Sequence, residues 1–159
     1  MICVRTESLG GLSQKVEEWE ELEFMVDSGA GHTVIRSDQV KAVTAGEPDA
    51  AQHYTLADGS MMPHEGEKRF EAVTEGGDLH TLTAQVTGVD TALLSVSQVV
   101  KGGHDVIFTP TGSYINLKGG KYQKGEKLPL RLDGNVYRLK MWVHKDQLAS
   151  FQGPARKAP

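Results

Sequence analysis

The chain has 159 residues, 38% of them hydrophobic and 24% charged, which at this length suffices for one buried core and is unlike a disordered composition. Its 17 Lys and Arg against 21 Asp and Glu leave a net charge of −4, which argues against phosphate-backbone binding as the main task, so no nucleic-acid partner is expected. The one cysteine, Cys3, excludes an intrachain disulfide and every cysteine-based zinc site, and no run approaches the roughly 18 apolar residues of a membrane span, so a reducing, cytoplasmic setting without membrane contact is expected.

In chain order, residues 1–19 read as a polar linker that turns acidic at Glu17 and Glu18, residues 20–144 as one domain, and residues 145–159 as a tail with two prolines and two basic residues near its end. Within the domain, short runs rich in Val, Ile, Leu, Thr, Tyr and Phe alternate with glycine punctuation at Asp58-Gly59, Gly76-Gly77, Gly102-Gly103, Gly119-Gly120 and Asp133-Gly134. That pattern predicts a succession of hairpins. Strands are expected over 22–26, 33–36, 54–57, 68–74, 79–87, 105–109, 113–117 and 135–143. One short helix is expected over 96–101, with Ser95 as its cap and Gly102-Gly103 as its stop. Residues 127–132 pair with the last strand across Asp133-Gly134 as a final hairpin. The predicted class is all-β with one short helix.

The most informative stretch is Leu22-Glu23-Phe24-Met25-Val26-Asp27-Ser28-Gly29-Ala30, where an apolar strand delivers a carboxylate into a Ser-Gly-Ala turn before a second apolar strand at Thr33-Val34-Ile35. A carboxylate at the end of a buried strand is costly unless donors surround it or a second acid shares its proton. Gly29 lets backbone amides approach that carboxylate, and the Ser28 hydroxyl can lock the turn.

The run from Phe24 to Ala30 resembles the active-site motif of retropepsin-like aspartic proteases. Some 65 residues later, Ala92-Leu93-Leu94-Ser95-Val96-Ser97-Gln98-Val99 resembles the segment that follows this motif in copia-type retrotransposon polyproteins. Its continuation through Gly102-Gly103-His104-Asp105-Val106-Ile107-Phe108 and Gly112-Ser113-Tyr114-Ile115 is similar to the same family. Many retropepsins carry glycine where this chain has Ser95.

The resemblance implies a closed β-barrel half-molecule of the acid protease fold, here with an extra C-terminal hairpin that either supplies an intersubunit sheet or covers a sheet edge. It implies Asp27, Ser28 and Gly29 as the catalytic triplet and Ala30 and Leu94 near the substrate. The Asp-Gly turn between Tyr54 and Pro63 predicts a hairpin, and the resemblance makes it the flap, with Leu56, Ala57, Asp58, Gly59 and Ser60 at its tip. Aspartic proteolysis needs two carboxylates sharing one proton. Of nine aspartates only Asp27 is followed by Ser or Thr and then Gly, so the chain holds half a site and a homodimer is expected, acting on a peptide or polyprotein. A non-catalytic module of the same fold, kept for dimerisation or peptide binding, is the alternative, and a small β-barrel scaffold with no peptide site, staying monomeric, is a third.

Other chemistry finds less support. The six histidines never fall at close ligand spacing, so neither metal nor cofactor is expected, and His32 reads as a loop histidine. No Gly-x-Ser-x-Gly elbow and no phosphate-cradling glycine loop is present.

Overall fold

The computed structural model describes residues 18–147; the linker over 1–17, Cys3 and the tail over 148–159 lie outside the described residues. The described residues form eleven strands and one short helix: β1 (Trp19–Asp27), β2 (Val34–Ile35), β3 (His53–Thr55), β4 (Met61–Pro63), β5 (Gly66–Val73), β6 (Leu79–Val86), β7 (Leu93–Ser95), α1 (Val96–Lys101), β8 (Asp105–Ile107), β9 (Ser113–Gly119), β10 (Tyr122–Asp133) and β11 (Val136–His144). The molecule is mostly β.

Period-two alternation explains the long strands. On β1, Leu22 and Phe24 turn inward, and their register partners Met141 and Leu139 on β11 are buried opposite them. On β5, Lys68, Phe70 and Ala72 form the inward series, facing Ala84, Leu82 and His80 of β6. Burying each such Phe or Leu contributes about 1.5–3 kcal/mol, which is what fixes the register of these ladders.

Nine strands join in the order β1-β7-β2-β6-β5-β11-β10-β9-β8, and β1 also pairs with β11. Followed from β1 through β7, β2, β6, β5 and β11, the pairings therefore return to β1. The β1–β7 and β2–β6 contacts are parallel and the others in this ring antiparallel. β10, β9 and β8 continue outward from β11, while β3 and β4 form a separate two-stranded sheet.

Several expected bounds shift, each for a local reason. β2 ends at Ile35 because Arg36 N turns to the Gln39 side chain at 2.9 Å, while just before it Thr33 O still accepts from Gln85 N at 2.8 Å. β3 stops at Thr55, since Leu56 N donates to Ser60 O and opens the turn. β8 stops at Ile107, because Thr109 folds back on Ser113 Oγ at 3.1 Å. β7 carries no strand prediction: three residues are too few to show alternation, and its partners are distant in sequence. β10 begins at Tyr122 rather than 127, crossing an irregularity between Tyr122 and Glu126 in which Gly125 has φ +76°.

The last hairpin, β10 and β11, is built into the large sheet of its own chain. β11 lies along β1 from Trp19↔His144 to Met25↔Arg138 and so belongs to the main sheet. The fold also extends slightly past the 20–144 bounds. Trp19 opens β1, Lys145 N donates to Glu18 O at 2.8 Å, and the Gln147 side chain bonds both backbone groups of Glu71.

Candidate functional site

β1 ends on Asp27, half-buried, with Ser28 and Gly29 exposed just beyond it. The Gly29 amide donates to Asp27 Oδ1 at 2.7 Å, so the turn after the strand closes on the carboxylate itself. A methyl group at Gly29 would stand 3.3 Å from that oxygen, tighter than ordinary contact, which is the physical reason a glycine suits this position.

The turn is held from beneath by β7 and α1. Asp27 lies in parallel register with Ser95, which is fully buried. The Ser95 hydroxyl is 2.6 Å from Ala30 O, 3.1 Å from Ser97 Oγ and 3.2 Å from Gln98 N. A carbonyl only accepts and an amide only donates, so Ser95 gives its one proton to Ala30 O and accepts from Gln98 N and Ser97 Oγ; its hydrogen-bonding capacity is filled. Gln98 Nε2 adds a bond to Gly31 O at 3.0 Å. Serine at this position therefore clamps α1 to the turn. As expected, it also caps the helix.

The hairpin follows β2 and precedes β5 in the chain. β3 and β4 pair from His53↔Pro63 to Thr55↔Met61, and the tip closes through Leu56 N to Ser60 O at 2.8 Å and Gly59 N to Leu56 O at 2.9 Å. Gly59 adopts φ +87°, and Ala57, Asp58, Gly59 and Ser60 are exposed. Ser60 donates twice to Asp58 Oδ1, from its hydroxyl at 2.6 Å and its amide at 2.8 Å, and these bonds hold the Asp58 carboxyl below the usual range. Tyr54 on β3 meets His32 edge-on at 5.8 Å between ring centroids, which ties the base of the hairpin to the loop that begins at Asp27. Burial, and secondarily the Glu67 charge, raises the Tyr54 pKa.

Thus Asp27, Ser28, Gly29 and Ala30 form one turn, and Leu56 to Ser60 form one hairpin tip joined to it through Tyr54 and His32. Leu94 lies opposite Val26 in register, one position before the Ser95 partner of Asp27, and at 6% exposed it is part of the core. Thr33, Gln98 and the Tyr54–His32 contact escape sequence reasoning, because polar residues in loops give no periodic signal. The sole available hint is a run of short polar side chains around a helix start. Among the described residues no group of three or more His, Cys, Asp or Glu is placed to hold a metal ion, and no helix is long and apolar enough to cross a membrane. No family model, no curated protein and no solved structure matches the chain.

Proposed function

We propose that the chain is one half of a homodimeric aspartic endopeptidase of the retropepsin-like kind, and that it cleaves extended peptide or polyprotein segments. The observation that carries this reading is Asp27: a strand-end carboxylate closed on by the Gly29 amide, in a turn clamped by Ser95 and Gln98 and joined to a projecting hairpin. The ring of six strand pairings supports reading the fold as the closed barrel of that family.

In the dimer, the two Asp27 carboxyls meet on the two-fold axis and share one proton, since like charges so close do not both ionise. The ionised carboxylate takes a proton from water as the water oxygen attacks the peptide carbonyl carbon. The protonated carboxyl gives its proton to the carbonyl oxygen, and collapse of the resulting diol expels the amine with a proton returned from the first carboxyl. The β3–β4 hairpin closes over the substrate and lends backbone hydrogen bonds to an extended chain.

Asp27→Asn is expected to lower cleavage of an unfolded protein substrate by about two to four orders of magnitude, with the circular dichroism spectrum and dimer mass unchanged. Undiminished cleavage by this variant removes the reading. A dimer that binds the substrate without cleaving it, in the unsubstituted chain, gives instead the non-catalytic module.

A further inference from the structure

β6 is paired along its whole length on one side by β5 but only in part on the other. Gln85 N donates to Thr33 O at 2.8 Å and Thr87 N to Ile35 O at 3.1 Å, so the odd-numbered residues of this strand turn their backbone groups away from β5 and toward β2. β2 reaches β6 only at Gln85 and Val86. Thr81 and Thr83 keep the same outward orientation, both are exposed, and among the described residues no strand lies beyond them. Leu79 is already served, since its carbonyl accepts from Lys121 Nζ. Two consecutive outward amide and carbonyl pairs are thus left without a strand partner among the described residues, the template onto which an extended chain adds.

A cavity of about 390 Å³ adjoins Thr81 and Thr83; Leu82, Val99, Ile115 and Met141 give it an apolar part, and Leu94 and Gln98 also line it. That volume accepts a bulky side chain. At the Leu79 end of the same edge, Asp78 and Glu126 lie together beside Lys121. Burial, and then the neighbouring Asp78, push Glu126 up to about 7, as expected for carboxyls crowded without enough positive charge.

We propose that the β6 edge at Thr81 and Thr83 docks an extended peptide by strand addition, inserting an apolar side chain into the cavity and setting a basic residue against Asp78 and Glu126. The main-chain bonds supply affinity, and the cavity and acidic end supply selectivity. The site stands whether or not Asp27 is catalytic.

The test uses the full chain carrying Asp27→Asn, so that no peptide is consumed, and an acetylated, amidated pentapeptide Lys-Val-Phe-Val-Lys. Nuclear magnetic resonance is expected to show saturable shifts at the Thr81 and Thr83 amides, with their hydrogen exchange slowed about tenfold or more. The same peptide with alternate amides N-methylated is expected to bind about tenfold more weakly or worse, because its side chains are kept and its donors are lost. Glu-Val-Phe-Val-Glu is expected to bind more weakly too, with a difference that shrinks at about 1 M salt. Thr83→Pro removes one outward donor without touching the β5–β6 ladder and is expected to abolish the shifts. Equal binding of the methylated peptide overturns the proposal even if the proline variant unfolds. So do shifts confined to the Asp27 turn and the β3–β4 hairpin, or shifts that grow with protein concentration in the absence of peptide, which mark a second copy on the edge.

Discussion

At Ser95 one hydroxyl, fully buried, joins three segments: the turn after Asp27 through Ala30 O, the first turn of α1 through Gln98 N, and Ser97. Removing it strands the half-buried Ala30 carbonyl and leaves a helix amide uncapped, each worth about 1–2 kcal/mol. Ser95→Ala is therefore expected to lower unfolding free energy by about 2 kcal/mol in urea titration, and to lower cleavage further than stability loss alone explains, because the turn carrying Asp27 loosens. An unchanged urea midpoint overturns this clamp. His80 makes a different residue-scale case. Its Nδ1 lies 2.6 Å from the Tyr122 hydroxyl, and burial, with a smaller contribution from nearby Lys121, lowers its pKa to about 4. The folded state thus prefers the neutral ring, so stability is whole above the unfolded value of 6.5 and falls as pH drops toward 4. The full penalty is about 3 kcal/mol, reached below that range. Calorimetry between pH 7 and 4 is expected to show a steeper fall in Tm for the unsubstituted chain than for His80→Gln, in which no imidazole titrates.

Elements separate into those built on the core and those held apart from it. Val40, buried with φ +56°, is the one non-glycine residue with positive φ among those described, and it holds this conformation because Glu20 Oε2 accepts its amide at 2.7 Å while Lys68 Nζ donates to its carbonyl at 3.1 Å. This loop is welded to β1 and β5. The β3–β4 hairpin, by contrast, shares no ladder with the main sheet. Two glycines with positive φ distinguish the cases. An added Cβ at Gly66 would drive into the Gly46 carbonyl oxygen, whereas at Gly59 it meets nothing within 4 Å. Gly59→Val thus costs only backbone strain, about 1–2 kcal/mol, confined to the hairpin tip. It is expected to leave global Tm nearly unchanged while raising KM for peptide cleavage. Gly66→Val is expected to lower Tm outright. A large global loss in Gly59→Val would show that the hairpin is bound into the core.

For the whole molecule, what the sequence discloses is what local chemistry writes. The Asp27 turn, the Asp58-Gly59 hairpin, the Ser95 cap and the inward alternation of β1, β5 and β11 all follow from residues within a few positions of one another. The three-residue β7, the β11–β1 pairing, the Lys68 anchor and the core position of Leu94 depend on partners tens of residues away, and no periodicity encodes them. The assembly is likewise written in no single chain, and the reading proposed for Asp27 makes it measurable. If each chain holds one of two required carboxyls, active species form in proportion to the square of protein concentration once the dimer mostly dissociates. A tenfold dilution in that regime is expected to cut the cleavage rate about a hundredfold, against tenfold for a self-sufficient monomer. Adding excess Asp27→Asn chain to dilute active protein separates this from surface losses: mixed dimers with one carboxylate remain inactive, so the rate falls further although total protein rises. Specific activity that stays constant through dilution, at a sedimentation mass of one chain, overturns the shared site.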